Sequence, residues 1–170
     1  MKYPPEKADF LILDPESEYG KVITELGGEV FHVGRDSINP FDLEVDLTER
    51  SPLAYKTEFI TTFCEKVMEE EGLDAQTKSL IDRAVRQVYQ GFLRSKGQAA
   101  PPLLGDFKRV LEGMKHERAR ELSLALERFV EGAMDNFSHP TNIDSENSLI
   151  CYSLLAGAIR ALKEKEGRKE

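Results

Sequence analysis

The sequence predicts an α/β chain that is mostly helical, and three observations carry that prediction. Asp9 to Leu43 sets two short apolar runs on either side of a helical pattern. From Pro52 to Gly132, apolar residues recur at helical spacing through four amphipathic stretches. Leu149 to Leu154 is apolar again and reads as a strand.

Phe10 to Leu13 is continuously apolar, the pattern of a strand covered on both faces, and Asp14-Pro15 ends it where open parallel sheets place ligands. Glu18 to Leu26 follows as a helix with Tyr19, Val22, Ile23 and Leu26 on one side, stopped by Gly27-Gly28. Val30, Phe31 and Val33 form a second strand, which a helical crossover makes parallel to the first. The turn-rich exit, Gly34 to Pro40, contains Asn39-Pro40, which forces an extended backbone before Phe41.

The helical part opens after Pro52 with Phe59, Ile60, Phe63 and Val67 on one face, while Glu65, Glu69, Glu70 and Glu71 mark the solvated side. Gly72 closes that helix and Asp74 is placed to cap the next. There Leu80, Ile81, Ala84, Val85, Val88, Tyr89 and Phe92 make a broad apolar stripe. Ser95 to Pro102 is a connector. Leu103, Leu104, Phe107, Val110, Leu111 and Met114 give a third helix; Leu122, Ala125, Leu126, Phe129 and Val130 give a fourth. Short connections predict a compact four-helix bundle with Phe59, Phe63, Ile81, Val85 and Phe129 in its core. After the strand-like run a last helix carries Leu155, Ala158, Ile159 and Leu162, and KEKEGRKE has no apolar face.

Composition narrows the function classes. The chain has 170 residues, 40% hydrophobic and 32% charged, enough for one sizeable core or a small sheet joined to a bundle. A net charge of -8 argues against a general nucleic-acid surface, because neutralising phosphates needs clustered Lys and Arg. The apolar stretches fall short of the roughly 20 residues that cross a bilayer, so no direct membrane span is expected. Cys64 and Cys151 lack ligand spacing and read as buried thiols in a reducing compartment. His32, His116 and His139 are scattered, and no serine sits in a nucleophile elbow, so no metal site or Ser/Cys hydrolase is expected. Arg83, Arg86, Arg94 and Lys78 are interleaved with acidic residues and read as a solvated, paired surface.

Asp14-Pro15-Glu16-Ser17-Glu18-Tyr19, followed by Leu26-Gly27-Gly28 and Ile38-Asn39-Pro40-Phe41-Asp42, resembles a stretch of the conjugative-transfer ATPases of type IV secretion systems, the TraC/TraE-like class. Lys56 to Tyr89, with Gly72-Leu73, Ile81-Asp82-Arg83-Ala84 and Val88-Tyr89, is similar to that family's helical insert. Thr141-Asn142-Ile143 and the strand after it look like the return to the motor core. The family grips phosphate with a Gly-Lys-Ser/Thr loop, which this sequence lacks, and has a later acidic strand that binds magnesium. The resemblance therefore implies an internal segment between the Walker A and Walker B motifs.

The fold it implies is a partial RecA-like P-loop NTPase layer with a four-helix insertion bundle. Residues 1–45 would be a partial motor layer, 46–135 the insertion, 136–163 the return strand and helix, and 164–170 a charged tail. The complete bacterial motor would use ATP and magnesium to power DNA or protein transfer at the inner face of the membrane, with other motor or secretion subunits, or further copies, as partners. The isolated chain would bind no cofactor and hydrolyse no ATP.

In the complete motor Asp14 and Glu18 could orient a water or a magnesium-bound ligand; alternatively Asp14 caps the turn and Glu18 favours the helix start. Tyr19 could stack on adenine or pack the helix onto the sheet, and Asn39 could reach the nucleotide or close its own turn. Two other readings remain: a free-standing helical interaction module, and a small α/β enzyme built around Asp14.

Overall fold

A computed structural model describes residues 9–43, 52–68, 72–144 and 146–154. The chain divides into two compact units, Met1–Ile38 with Thr141–Glu170, and Asn39–Pro140. The predicted helix at Leu155, Ala158, Ile159 and Leu162, the charged tail, and Glu69 to Glu71 lie outside the described residues.

Among the described residues the first unit holds a three-stranded parallel sheet of order β1-β3-β2, built from β1 (Phe10–Asp14), β2 (Glu29–His32) and β3 (Leu149–Ser153). β3 pairs with both others, Leu11 opposite Ile150 and Phe31 opposite Tyr152, so the two N-terminal strands are parallel with the C-terminal strand between them. Helix α1 (Gly20–Glu25) packs on β2 and β3. Gly27 ends α1 with φ +79°, and Gly28 permits the close approach, since a Cβ there would lie 2.7 Å from Leu149 Cγ. Asn142 ties the chain's exit to its return: its Oδ1 accepts from Ser37 N and its own N–H donates to Ser37 O.

Two expectations for this unit are corrected. Among the described residues β1 is an edge strand, with Phe10, Leu11 and Leu13 exposed rather than covered on both faces. Within α1 only Ile23 is buried; Tyr19, Val22 and Leu26 of the predicted stripe are exposed. The helix is too short to press a second apolar residue onto the two strands beneath it.

The second unit is helical, with α2 (Pro52–Met68), α3 (Ala75–Val88), α4 (Gln90–Arg94), α5 (Leu104–Gly113) and α6 (Glu117–Val130), then a 3-10 turn at Asp135–Phe137. Asp74 caps α3 by accepting from Thr77 N at 2.7 Å. The apolar stripe read as one helix breaks at Tyr89, and Leu93 N donates to Tyr89 O so that α4 carries it on. Asp106 closes the start of α5 by accepting from Leu103 N, and His116 Nδ1 caps α6.

The core of this unit centres on Ile60, Cys64, Ile81, Val85, Phe107 and Leu122, all fully buried. Phe41, read only as the residue after a turn, is also fully buried between the rings of Tyr89 and Phe107. Phe63 and Phe129 are half-buried and meet edge to face at 5.6 Å, with Phe137 beside them. Phe59 is a correction: it is 51% exposed, because α2 turns Ile60 and Cys64 to the core and leaves Phe59 outward, beneath the Lys56 ammonium. Burial pushes the Cys64 thiol up to about 12, so it stays protonated. The expected surface pairs form, among them Lys78–Glu65 and Arg86–Asp82. No helix of the described residues is long and apolar enough to cross a membrane.

Candidate functional site

β1 ends at Asp14, and Pro15 follows it, its ring fixing φ at about −65° where the chain turns away from the sheet. The Asp14 carbonyl accepts from Leu154 N, which holds the C-terminal ends of β1 and β3 level. Its carboxyl group is 1% exposed and fully engaged: Oδ1 accepts from Glu18 N at 3.2 Å and Oδ2 from Tyr19 N at 2.9 Å. These amides stand at the start of α1, where a helix leaves donors without internal partners. Asp14 is therefore the cap of this turn.

That cap shapes the rest of the segment. Ser17 takes a left-handed backbone, φ +59°, and its hydroxyl meets the buried hydroxyl of Ser153 at the end of β3. The turn leaves the Glu18 side chain exposed just beyond the strand ends. Tyr19 is exposed as well, which corrects the expectation that it packs α1 onto the sheet. Ser153 went unnoticed in the sequence; its only signal there is its place at the end of an apolar run.

At the end of β2, Asp36 Oδ2 accepts from His32 N at 2.8 Å and pairs with Arg35. Partial burial works against the Asp36 carboxylate, yet the Arg35 bond and the His32 amide hold its pKa below the usual value. In the centre of the sheet the Cys151 thiol is fully buried, and burial and the nearby Asp14 charge push its pKa up.

Asn39 belongs to the helical unit, where it is buried and its amide closes the turn. Nδ2 donates to Pro102 O at 3.0 Å and to Asp42, and Oδ1 accepts from Phe41 N. The structure thus gathers Asp14, Glu18 and Tyr19 at one turn and places Asn39 in the other unit.

The residues at the strand ends do not fit a magnesium nucleotide by themselves. Both Asp14 oxygens serve backbone amides, and the sequence has no Gly-Lys-Ser/Thr run to cradle phosphates. Among the described residues no three His, Cys, Asp or Glu side chains converge as a metal-binding group. An apolar groove of about 550 Å³ lies instead within the helical unit, lined by Val88, Phe92, Pro101 and Leu103 with Asp106 at its side.

No protein-family model matches the chain, and no curated protein sequence matches it. Among solved structures, VirB4 of Thermoanaerobacter pseudethanolicus is similar, with a TM-score of 0.66 over 87% of this chain at 23% identity. At that identity the likeness is one of fold. The match takes in 60% of the length of that solved chain.

Proposed function

We propose that this chain is a segment of a type IV secretion ATPase, supplying one edge of its nucleotide site and a helical arm to a RecA-like motor layer. One observation carries the reading. The shared fold with VirB4 extends over both units, 87% of the chain, and agrees with the family resemblance of the Asp14 to Tyr19 and Ile38 to Asp42 motifs. Within the motor the roles divide by availability. Asp14 is committed to capping, so Glu18, whose carboxylate is exposed one turn beyond the strand, is the group free to orient a reacting water. Tyr19, exposed beside it, is free to stack on a base, whereas Asn39 holds its own turn. ATP and magnesium would be gripped by groups the sequence lacks, so the chain alone neither binds nor hydrolyses ATP. The motor would work in the cytoplasm, at the inner face of a bacterial membrane, with other secretion subunits.

An ATP titration of the chain by calorimetry tests this reading. No saturable heat is expected from the chain alone, and binding is expected when a Gly-Lys-Ser/Thr loop and its strand are fused upstream. Glu18→Gln in that fusion should keep binding and lose hydrolysis. Saturable ATP binding by the unmodified chain would favour the small-enzyme reading instead. Exposed Tyr55 and Phe59, one turn apart on α2, favour a second role for the helical unit as a partner-binding surface.

A further inference from the structure

The corner where α5 gives way to α6 holds charges that the chain does not neutralise. A cleft of about 590 Å³ opens there, bounded by Met114, Lys115 and His116 of the connection and by Glu117, Arg120 and Leu124 of α6. Residues 117, 120 and 124 recur at helical spacing and so share one face of α6. Other clefts of the helical unit close their charges internally: Arg109 pairs with Asp106 in one, and Arg118 with Glu121 in another. At this corner, among the described residues, neither Lys115 nor Arg120 has a carboxylate within ion-pair distance. Glu112 is engaged by Lys108 at 2.7 Å and by the Ser123 hydroxyl at 3.2 Å, so within the cleft Glu117 alone opposes the two cations. Leu124 is 60% exposed beside them, and Met114 is half-buried. The helix start is not the attraction, since His116 Nδ1 already accepts from Arg118 N there.

We propose that this cleft is a docking site for an acidic peptide segment that carries an aliphatic residue, its carboxylates meeting Lys115 and Arg120 and its apolar side chain covering Leu124 and Met114. Charge complementarity selects that occupant. Incoming carboxylates gain the Arg120 guanidinium fork and the Lys115 ammonium without displacing an existing pair. A basic segment would meet the same two cations with only Glu117 to answer it. Nucleic acid is disfavoured, because two cations neutralise few phosphates, Glu117 repels the backbone, and Leu124 is an aliphatic anchor rather than a ring on which a base could stack. The cleft lies wholly within the helical unit, so its occupant is independent of the motor reading.

The test is backbone NMR of the whole chain titrated with acetyl-Glu-Glu-Leu-Glu-Glu-Leu-Glu-amide. Saturable shifts are expected at Lys115, His116, Arg120 and Leu124, with binding that weakens as salt is raised. Arg120→Glu and Lys115→Glu should each weaken binding about tenfold, because each sets a like charge against the peptide. Leu124→Ser should weaken it too while leaving the salt dependence in place. All three side chains are exposed, so the variants should fold as the parent does, which unchanged α3 amide signals would verify. Several results would overturn the proposal: no saturable shift at this corner, an equal response to Lys-Lys-Leu-Lys-Lys-Leu-Lys, binding unchanged in both charge-reversed variants, or the same shifts from a thymidine oligonucleotide. Shifts at these residues on concentrating the chain without peptide would overturn it as well, and would assign the cleft to a second copy.

Discussion

Asp14 and Tyr89 show how a single polar atom can fix a turn. Asp14 satisfies two amides at the start of α1, so Asp14→Ala should cost about 0.5 to 2 kcal/mol, read as a shift in urea midpoint of the sheet's transition. Glu18→Ala, with its side chain in solvent, should stay within about 0.5 kcal/mol. Equal losses in the two variants would contradict the division of roles between cap and free carboxylate. Tyr89 is wholly buried and its hydroxyl donates to Phe41 O at 2.6 Å, while burial and Asp42 push the phenol pKa up. Tyr89→Phe should therefore cost about 1 to 3 kcal/mol, because it leaves a buried carbonyl without its donor. The capping reading of Asp14 was legible in the sequence, as was the turn at Asn39. Its burial was not, since the strand that covers it arrives from Leu149 to Ser153, far along the chain.

At the scale of elements, period and caps were readable and rotation was not. The stripe on α3 and the Asp74 cap came directly from spacing, and Ile81 and Val85 lie where it placed them. On α2 the run Phe59-Ile60 offered two apolar neighbours about 100° apart, and only packing against α3 and α6 chose Ile60. Ile81→Ala should cost about 2 to 5 kcal/mol and Phe59→Ala less than about 0.5, so thermal melts of the pair test the helix's rotation. The sheet misled differently: a continuously apolar strand reads as central, and among the described residues β1 is an edge. Between α5 and α6, Lys108 is nearly buried and bonds Glu112 at 2.7 Å and Glu131 at 3.1 Å. The Glu112 bond raises the Lys108 pKa, and the same bond lowers that of Glu112 from 4.5. A depressed carboxylate stabilises the fold above its unfolded pKa and loses that contribution as pH falls through the folded value. Glu112→Gln should thus be less stable than the parent at neutral pH, with the gap closing below pH 4.5. The gap should be modest, as the carboxylate is half exposed. A gap that stays constant through acid would show that the charge contributes nothing.

Across the whole molecule, the chain order of the two units sets a folding asymmetry. The helical unit is one continuous stretch, Asn39–Pro140, whereas the sheet must join β1 and β2 to a strand that arrives only after that stretch. Closing so long a loop costs entropy before any strand pairing returns it, so the helices should form first. The α/β class and the helical character of the middle of the chain were legible because helical period survives in local sequence; the β1-β3-β2 order was not, because nothing local marks which strands β3 enters between. The helical unit also fastens its own N-terminal end: Asn39 donates to Pro102 O, Lys56 Nζ to Pro40 O, and Tyr89 Oη to Phe41 O. Each bond begins and ends within that unit. Residues 39–140 excised alone should therefore fold, with a helical circular dichroism spectrum, a single cooperative urea transition, and protected amides along α3. In the whole chain, hydrogen exchange should be slower at Ile81 and Val85 than at Ile150 and Cys151. A fragment that stays unfolded, or strand amides that outlast those of α3, would show that the sheet is needed to organise the helices and that the two units fold as one.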